Sequence, residues 1–262
     1  FSGYTTLKKV YSFEPVPSEL TPDEAKYIIG AQANLWTEMI STGSHAEYMV
    51  LPRMTALSEV LWSAPENSDW TDFTRRLTAM TERFDLMGIN YSKGTYRVDM
   101  AATFDEKTKT IKLELLSDQP SPEIRYTTDG SDPGSGSMLY TGPVTLSGPA
   151  TIKAAIFIDN KPMGQISGKT ININKATGRA IKYNIPYSNR YKGSGDITLV
   201  NGINGSRSFD AGHWLGFDGA DMDVIVDLGE EIPVSKVSGH FLCNVGSWIF
   251  LPQWVEYSVS PD

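Results

Sequence analysis

Three textures of hydrophobic and polar positions succeed one another along the chain. In the first, apolar residues recur at helical spacing. Trp70, Phe73, Leu77, Met80, Phe84 and Met87 alternate in steps of three and four, which predicts one buried stripe on a helix that begins at the N-cap residue Asp69 and stops at Gly88. Arg75, Arg76, Glu82 and Arg83 fall off the stripe and read as its solvated face. Upstream, residues 44–62 carry Tyr48, Met49, Leu51, Met54, Leu57, Val60, Leu61 and Trp62 on more than one face, which predicts a single, largely buried helix. Before it, Tyr27 to Trp36 reads as a short apolar strand. A small helix from Thr21-Pro22-Asp23-Glu24 precedes that strand, with Pro22 able to take the first helical position. Strand followed by helix is the grammar of an α/β unit, but one strand cannot close a sheet, so residues 1–97 are expected to form part of a larger unit.

In the second texture the period shortens to two. Ile111-Lys112-Leu113-Glu114-Leu115 alternates, Glu123 to Thr128 is rich in β-formers, Asp129 to Gly136 is a long turn, and Thr151 to Ile158 is a further strand. Residues 98–175 contain neither Trp nor His and suit a small β-sandwich. From residue 176 to 262 the strands continue between loops richer in Asn, Gly, Asp and Trp. There Asn201 to Ser206 is a turn cluster and Asp223 to Gly229 an alternating strand with a glycine stop, which predicts a second β-sandwich. No internal repeat or low-complexity stretch interrupts this order.

Composition narrows the partners. The 262 residues carry 23 Lys and Arg against 31 Asp and Glu, a net charge of −8, so a phosphate backbone or an anionic membrane surface would repel the chain. No nucleic-acid partner is expected. The apolar runs are too short for a spanning helix, and no basic segment with an apolar core opens the sequence. A lone cysteine, Cys243, excludes an internal disulfide and reads as a small buried hydrophobe rather than a reactive thiol. The chain begins with Phe1 and ends on the alternating Tyr257-Ser258-Val259-Ser260-Pro261-Asp262, without cap or polar tail. Both ends are therefore expected to be cuts.

Candidate chemistry concentrates at Gly30-Ala31-Gln32-Ala33-Asn34-Leu35-Trp36-Thr37-Glu38. If the strand runs to its end, Asn34, Trp36 and Glu38 share one face, and in a parallel barrel that face opens at the C-terminal mouth. An indole beside a carboxylate suits a sugar, the flat ring covering C–H groups and the oxygens accepting from hydroxyls. On spacing alone, a core Trp and a helix-start or surface Glu remain open. His45, His213 and His240 are scattered along the chain, and no metal site is expected from them. Trp214, Trp248 and Trp254 could form a sugar platform, although in a sandwich such residues are more often core.

The stretch from Gly30 to Glu38, followed by Glu47-Tyr48-Met49-Val50-Leu51-Pro52-Arg53-Met54-Thr55-Ala56-Leu57-Ser58-Glu59-Val60-Leu61-Trp62, resembles the last strand and last helices of the catalytic (β/α)8 barrel of family-20 β-N-acetylhexosaminidases. The resemblance implies that Trp36 lines the subsite for the terminal N-acetylhexosamine and that Glu38 accepts hydrogen bonds from its O4 and O6 hydroxyls. Such enzymes use the substrate's acetamido oxygen as nucleophile. They need an adjacent Asp-Glu pair, in which Glu protonates the leaving oxygen and Asp orients the intermediate. No such catalytic pair is found here. Asp23-Glu24 stands at a helix start and Asp105-Glu106 in a turn, and both are assigned local roles. Tyr4 and Tyr11 are poor substitutes for the family's acetamide-binding tyrosine.

Further along, Ile124 to Pro133, Leu139 to Val144 and Ile152 to Ala155 resemble the small immunoglobulin-like domain that follows the barrel in bacterial chitobiase-type enzymes. Leu199 to Gly202, Trp214 to Phe217 and Val224 to Gly229 are similar to the first half of a discoidin (factor 5/8 type C) domain, a type that often binds carbohydrate. That similarity implies a structural Ca2+ in the last domain near Asn201-Gly202, while Asp218, Asp221 and Asp223 read preferentially as a solvated acidic loop and no cofactor is required.

The expected architecture is thus multidomain α/β plus all-β. Residues 1–97 form the C-terminal part of a hexosaminidase barrel, 98–175 an immunoglobulin-like sandwich, and 176–262 a truncated discoidin-like sandwich. The expected activity is that of part of a hydrolase acting on glycans with terminal N-acetylglucosamine or N-acetylgalactosamine, secreted, periplasmic or at the cell surface. This chain, without the Asp-Glu pair, is expected to be inactive alone. A non-catalytic carbohydrate-binding or scaffold module is the rival reading.

Overall fold

A computed structural model describes residues 5–260; Tyr4 lies outside them. Five helices open the fold: α1 (Leu7–Tyr11), α2 (Pro22–Ala25), α3 (Gly43–Val50), α4 (Arg53–Trp62) and α5 (Trp70–Leu86). The last of these follows its sequence closely. Asp69 caps it by accepting from the Thr71 and Asp72 amides, which satisfies two of the donors a helix start leaves open. Phe73, Leu77 and Phe84 are buried, and Trp70 and Met80 pack beside the core. Met87 departs from the expected stripe. It forms the C-cap and is exposed, because the helix ends one residue earlier. Thr74 and Thr81 are buried in its place, their hydroxyls donating to the carbonyls of Trp70 and Thr78 at 3.0 and 2.8 Å.

The single buried helix expected over 44–62 is two helices. Leu51 is extended (φ −97°, ψ 140°), because Pro52 has no N–H for the ladder and disfavours helical backbone in the residue before it. Burial is also narrower than expected. Ala56 packs with Leu7, Tyr11, Phe73 and Leu77, while Tyr48, Met49, Met54 and Trp62 are exposed. One face of α4 meets α1 and α5; the residues on its other sides meet too little protein to be covered.

Tyr27 to Trp36 forms no strand. An extended segment becomes a strand only when a neighbour completes its hydrogen-bond ladder, and no strand of the described residues pairs with it. Ile29 is accordingly exposed.

The middle region contains seven strands: β1 (Asp99–Asp105), β2 (Thr110–Leu116), β3 (Glu123–Thr127), β4 (Met138–Leu139), β5 (Val144–Leu146), β6 (Ala150–Ile158) and β7 (Lys161–Ile171). They make two antiparallel sheets, in the orders β1-β2-β5 and β4-β3-β6-β7. Alternation in β2 buries Ile111, Leu113 and Leu115, opposite Phe104, Ala102 and Met100 of β1. From the other sheet Ile124, Ile152, Ala154 and Ile156 join the same core. A register shift between Ala154 and Ile156 lets β6 bury Ala155 and Phe157 as well. Tyr96 and Val98, at the end of the helical region, and Ile203, far downstream, complete that core. The Trp70 indole donates to the Asp118 carbonyl at 2.8 Å, fastening α5 to the β2–β3 loop.

The last region departs most from expectation. Its sheet has two strands, β8 (Ala180–Tyr183) and β9 (Val224–Asp227), and no second sandwich is formed among the described residues. Two strands alone offer too little apolar face for a core, and neither carries a fully buried residue. Trp248 and Trp254, expected in a core, are 84% and 74% exposed. Cys243 is exposed rather than buried. Trp214 alone of the three is partly covered; it donates to the Ser206 carbonyl at 2.7 Å and lies against Gly205, where any Cβ would overlap the indole.

Candidate functional site

Trp36 and Glu38 lie in the extended segment between α2 and α3, and both are open to solvent, Trp36 at 63% of its surface. The Ile40 amide donates to the Thr37 carbonyl at 3.0 Å, making residues 37–40 a turn with Glu38 and Met39 at its centre. The shared face expected from strand alternation therefore ends at Thr37. Glu38 owes its place to the turn instead. Asn34 is exposed in the same segment. Directly after the turn, Thr42 caps α3 by accepting from the His45 amide at 3.1 Å.

The acidic pairs have local partners. Thr21 and Glu24 form a reciprocal capping box, and the Thr21 backbone N–H and hydroxyl hold the Glu24 carboxyl below its usual range. Asp105 accepts from the Thr108 and Lys107 amides at 3.2 and 2.9 Å in the β1–β2 turn, which lowers its pKa in the same way. Tyr11 is buried and structural: its hydroxyl donates to Glu59 Oε1 at 3.1 Å and accepts from the Asp69 amide at 2.9 Å, and its ring stacks on Phe73. Glu59 in turn pairs with Arg76 at 2.6 Å, and Arg76 with Asp72 at 2.7 Å. These bonds tie α1, α4 and α5 together.

The histidines do not converge. Burial, with a smaller effect of Lys169, lowers the His213 pKa, and its Nδ1 is buried without a partner. His45 lies on α3 and His240 is exposed. Among the described residues no three His, Cys, Asp or Glu side chains come together as metal ligands. Asp218, Asp221 and Asp223 are exposed, and buried Asn201 uses its Oδ1 to accept from the Ile203 amide at 2.8 Å. The Asn201 side chain is thus engaged within the loop near which the discoidin resemblance implies a structural Ca2+.

Two arrangements had no sequence signal. Tyr183 donates to the Asp196 carbonyl at 2.7 Å and Tyr187 to its carboxylate at 2.6 Å; burial pushes the Tyr183 phenol up to about 12. Asn90, just beyond α5, reaches back to α3 through three hydrogen bonds. A cavity of about 40 Å3 lined by Arg53, Arg97, Asp99 and Asp118 is too small for a sugar ring. No helix of the described residues is long and apolar enough to cross a membrane.

Comparison with known sequences gives these positions a context. Residues 1–65, which include Trp36 and Glu38, match the profile of the glycosyl hydrolase family 20 catalytic domain, and residues 111–171 match the profile described as Fn3 associated. A β-hexosaminidase of Porphyromonas gingivalis is 34% identical over 152 residues, covering 58% of this chain and 19% of that protein. A β-N-acetylhexosaminidase of Cellulomonas fimi is 34% identical over 92 residues, 35% of this chain and 18% of its own length. A β-hexosaminidase of Akkermansia muciniphila is 34% identical over 87 residues, covering 33% and 17% respectively. These similarities support a place for the helical region with family-20 glycoside hydrolases. The chain spans less than a fifth of the length of these three relatives. For the middle region, the matched description is Fn3 associated, where an immunoglobulin-like domain was expected.

Proposed function

We propose that this chain is part of a β-N-acetylhexosaminidase that removes terminal N-acetylglucosamine or N-acetylgalactosamine from glycans outside the cytoplasm. The match of residues 1–65 to the family-20 catalytic domain carries this reading, and the exposure of Trp36 and Glu38 is consistent with it. In it, the Trp36 ring covers the C–H face of the terminal sugar, and Glu38 accepts from O4 and O6. The acetamido oxygen attacks C1 as the glycosidic bond breaks, and a carboxylic acid protonates the leaving oxygen. Among these 262 residues no Asp-Glu pair serves that step, so the chain by itself binds the rim of the sugar without turning it over. The middle and last regions are read as an immunoglobulin-like and a discoidin-like unit behind the barrel.

In the polypeptide that also carries the acid pair, Trp36→Ala should raise KM for p-nitrophenyl-N-acetylglucosaminide and lower kcat/KM by about 2 kcal/mol, because a stacked ring and its buried area are lost. Unchanged kinetics would remove Trp36 from the subsite. The exposed Trp248, Phe250 and Trp254 favour a second reading, a non-catalytic carbohydrate-binding module. Glycan-array binding by this chain that disappears on deleting residues 176–262 would support it.

A further inference from the structure

We infer that Asn90 is a positioning residue for the sugar rim formed by Trp36 and Glu38, an inference that rests on the subsite proposed for those two. The rim segment pairs with no strand among the described residues, so the way its ends are fixed bears on its place. At the downstream end the chain runs from Trp36 through the 37–40 turn to the Thr42 cap and into α3.

Asn90 holds the first turn of that helix from outside. Its Nδ2 donates to the carbonyl and the hydroxyl of Ser44, each at 3.0 Å, and its backbone N–H donates to Glu47 Oε2 at 2.9 Å. Two residues on, the Ser92 amide donates to the Leu51 carbonyl at 3.0 Å, beside the helix's other end. Residues 90–92 are therefore a strap along α3. The strap is anchored by α5: Gly88 ends that helix with φ +68°, the Ile89 amide returns to the Phe84 carbonyl at 2.9 Å, and Tyr91 is buried against Phe84. Ser44 is six residues from Glu38 and eight from Trp36 by the sequence numbering, so the strap acts at the downstream end of the rim segment.

Loss of an interaction made equally in the ground and transition states raises KM and leaves kcat unchanged. A purely structural role would instead reduce the folded fraction and lower kcat at constant KM. Kinetics in the active full-length polypeptide distinguish these. Asn90→Leu, which removes both side-chain donors at similar size, should raise KM roughly fivefold with kcat within about twofold, the scale of one or two hydrogen bonds. Glu47→Ala should do the same. Glu47→Gln, which keeps an oxygen for the Asn90 amide, should restore KM. If Asn90→Leu leaves KM unchanged while Trp36→Ala raises it, the strap does not position the rim. If neither variant alters KM, the subsite assignment itself fails.

Discussion

The middle and last regions look alike as patterns and differ as structures. Both alternate apolar and polar residues between turn signals, yet residues 98–175 build two sheets around one core, while residues 176–260 build a two-stranded ribbon and leave Trp248, Phe250 and Trp254 in water. In the middle region β2 has a partner on each edge, and its inward residues face those of a second sheet. In the last region β9 pairs with β8 in a two-stranded sheet, and neither strand carries a fully buried residue. Alternation therefore specifies which face of a strand is apolar, and burial follows only where a second apolar face is at hand.

Truncation of the shared core should separate the two regions most. Ile152 is 0% exposed between the sheets, and Ile152→Ala should cost about 3 kcal/mol, seen as a lower urea midpoint for the middle region. A loss below about 1 kcal/mol would mean that the sheets do not share one packed core.

A smaller effect is expected from pH in the last region. Burial raises the Tyr183 phenol from its ordinary value of 10.0 to about 12. The folded ribbon keeps this proton while the unfolded chain loses it, so the contribution is complete below pH 10 and disappears as pH rises toward 12. Denaturation followed across that range should show the β8–β9 region loosening before the middle core. Tyr183→Phe should flatten the dependence, and an unaltered profile would remove Tyr183 from its cause.

The smallest effect belongs to Trp254, 74% exposed. Trp254→Ala should change stability by less than about 0.5 kcal/mol, as a surface substitution does. A loss comparable to that at Ile152 would place Trp254 in a packed core after all and erase the contrast.

Features encoded by neighbouring residues were readable in advance. Asp69 and the spacing from Trp70 to Phe84 define α5 almost to the residue, and the alternation of Ile111, Leu113 and Leu115 is the buried face of β2. Pro52 carried the break between α3 and α4 in plain view, but the apolar residues on both sides obscured it. Tyr27 to Trp36 shows the opposite case, a strand-like composition whose state depends on a ladder partner that the local pattern does not supply. The 37–40 turn moved Glu38 out of that alternation, and its Thr37-Glu38-Met39-Ile40 sequence carries none of the glycine, proline or Asx signals that mark turns. Asn90 lay beyond reach for a related reason. It meets Ser44 across 46 positions, and a spacing that long has no periodicity to betray it.

The central claim is that the segment around Trp36 and Glu38 is the rim of a sugar subsite, and a cycle between protein and substrate tests it most directly. Glu38→Gln should be compared with the unaltered polypeptide on an N-acetylglucosaminide and on its analogue lacking the O4 and O6 hydroxyls. If Glu38 accepts from those hydroxyls, the substitution should lower kcat/KM on the ordinary substrate by about 2 kcal/mol and leave the deoxy analogue nearly unaffected. Equal losses on both substrates would contradict the assignment.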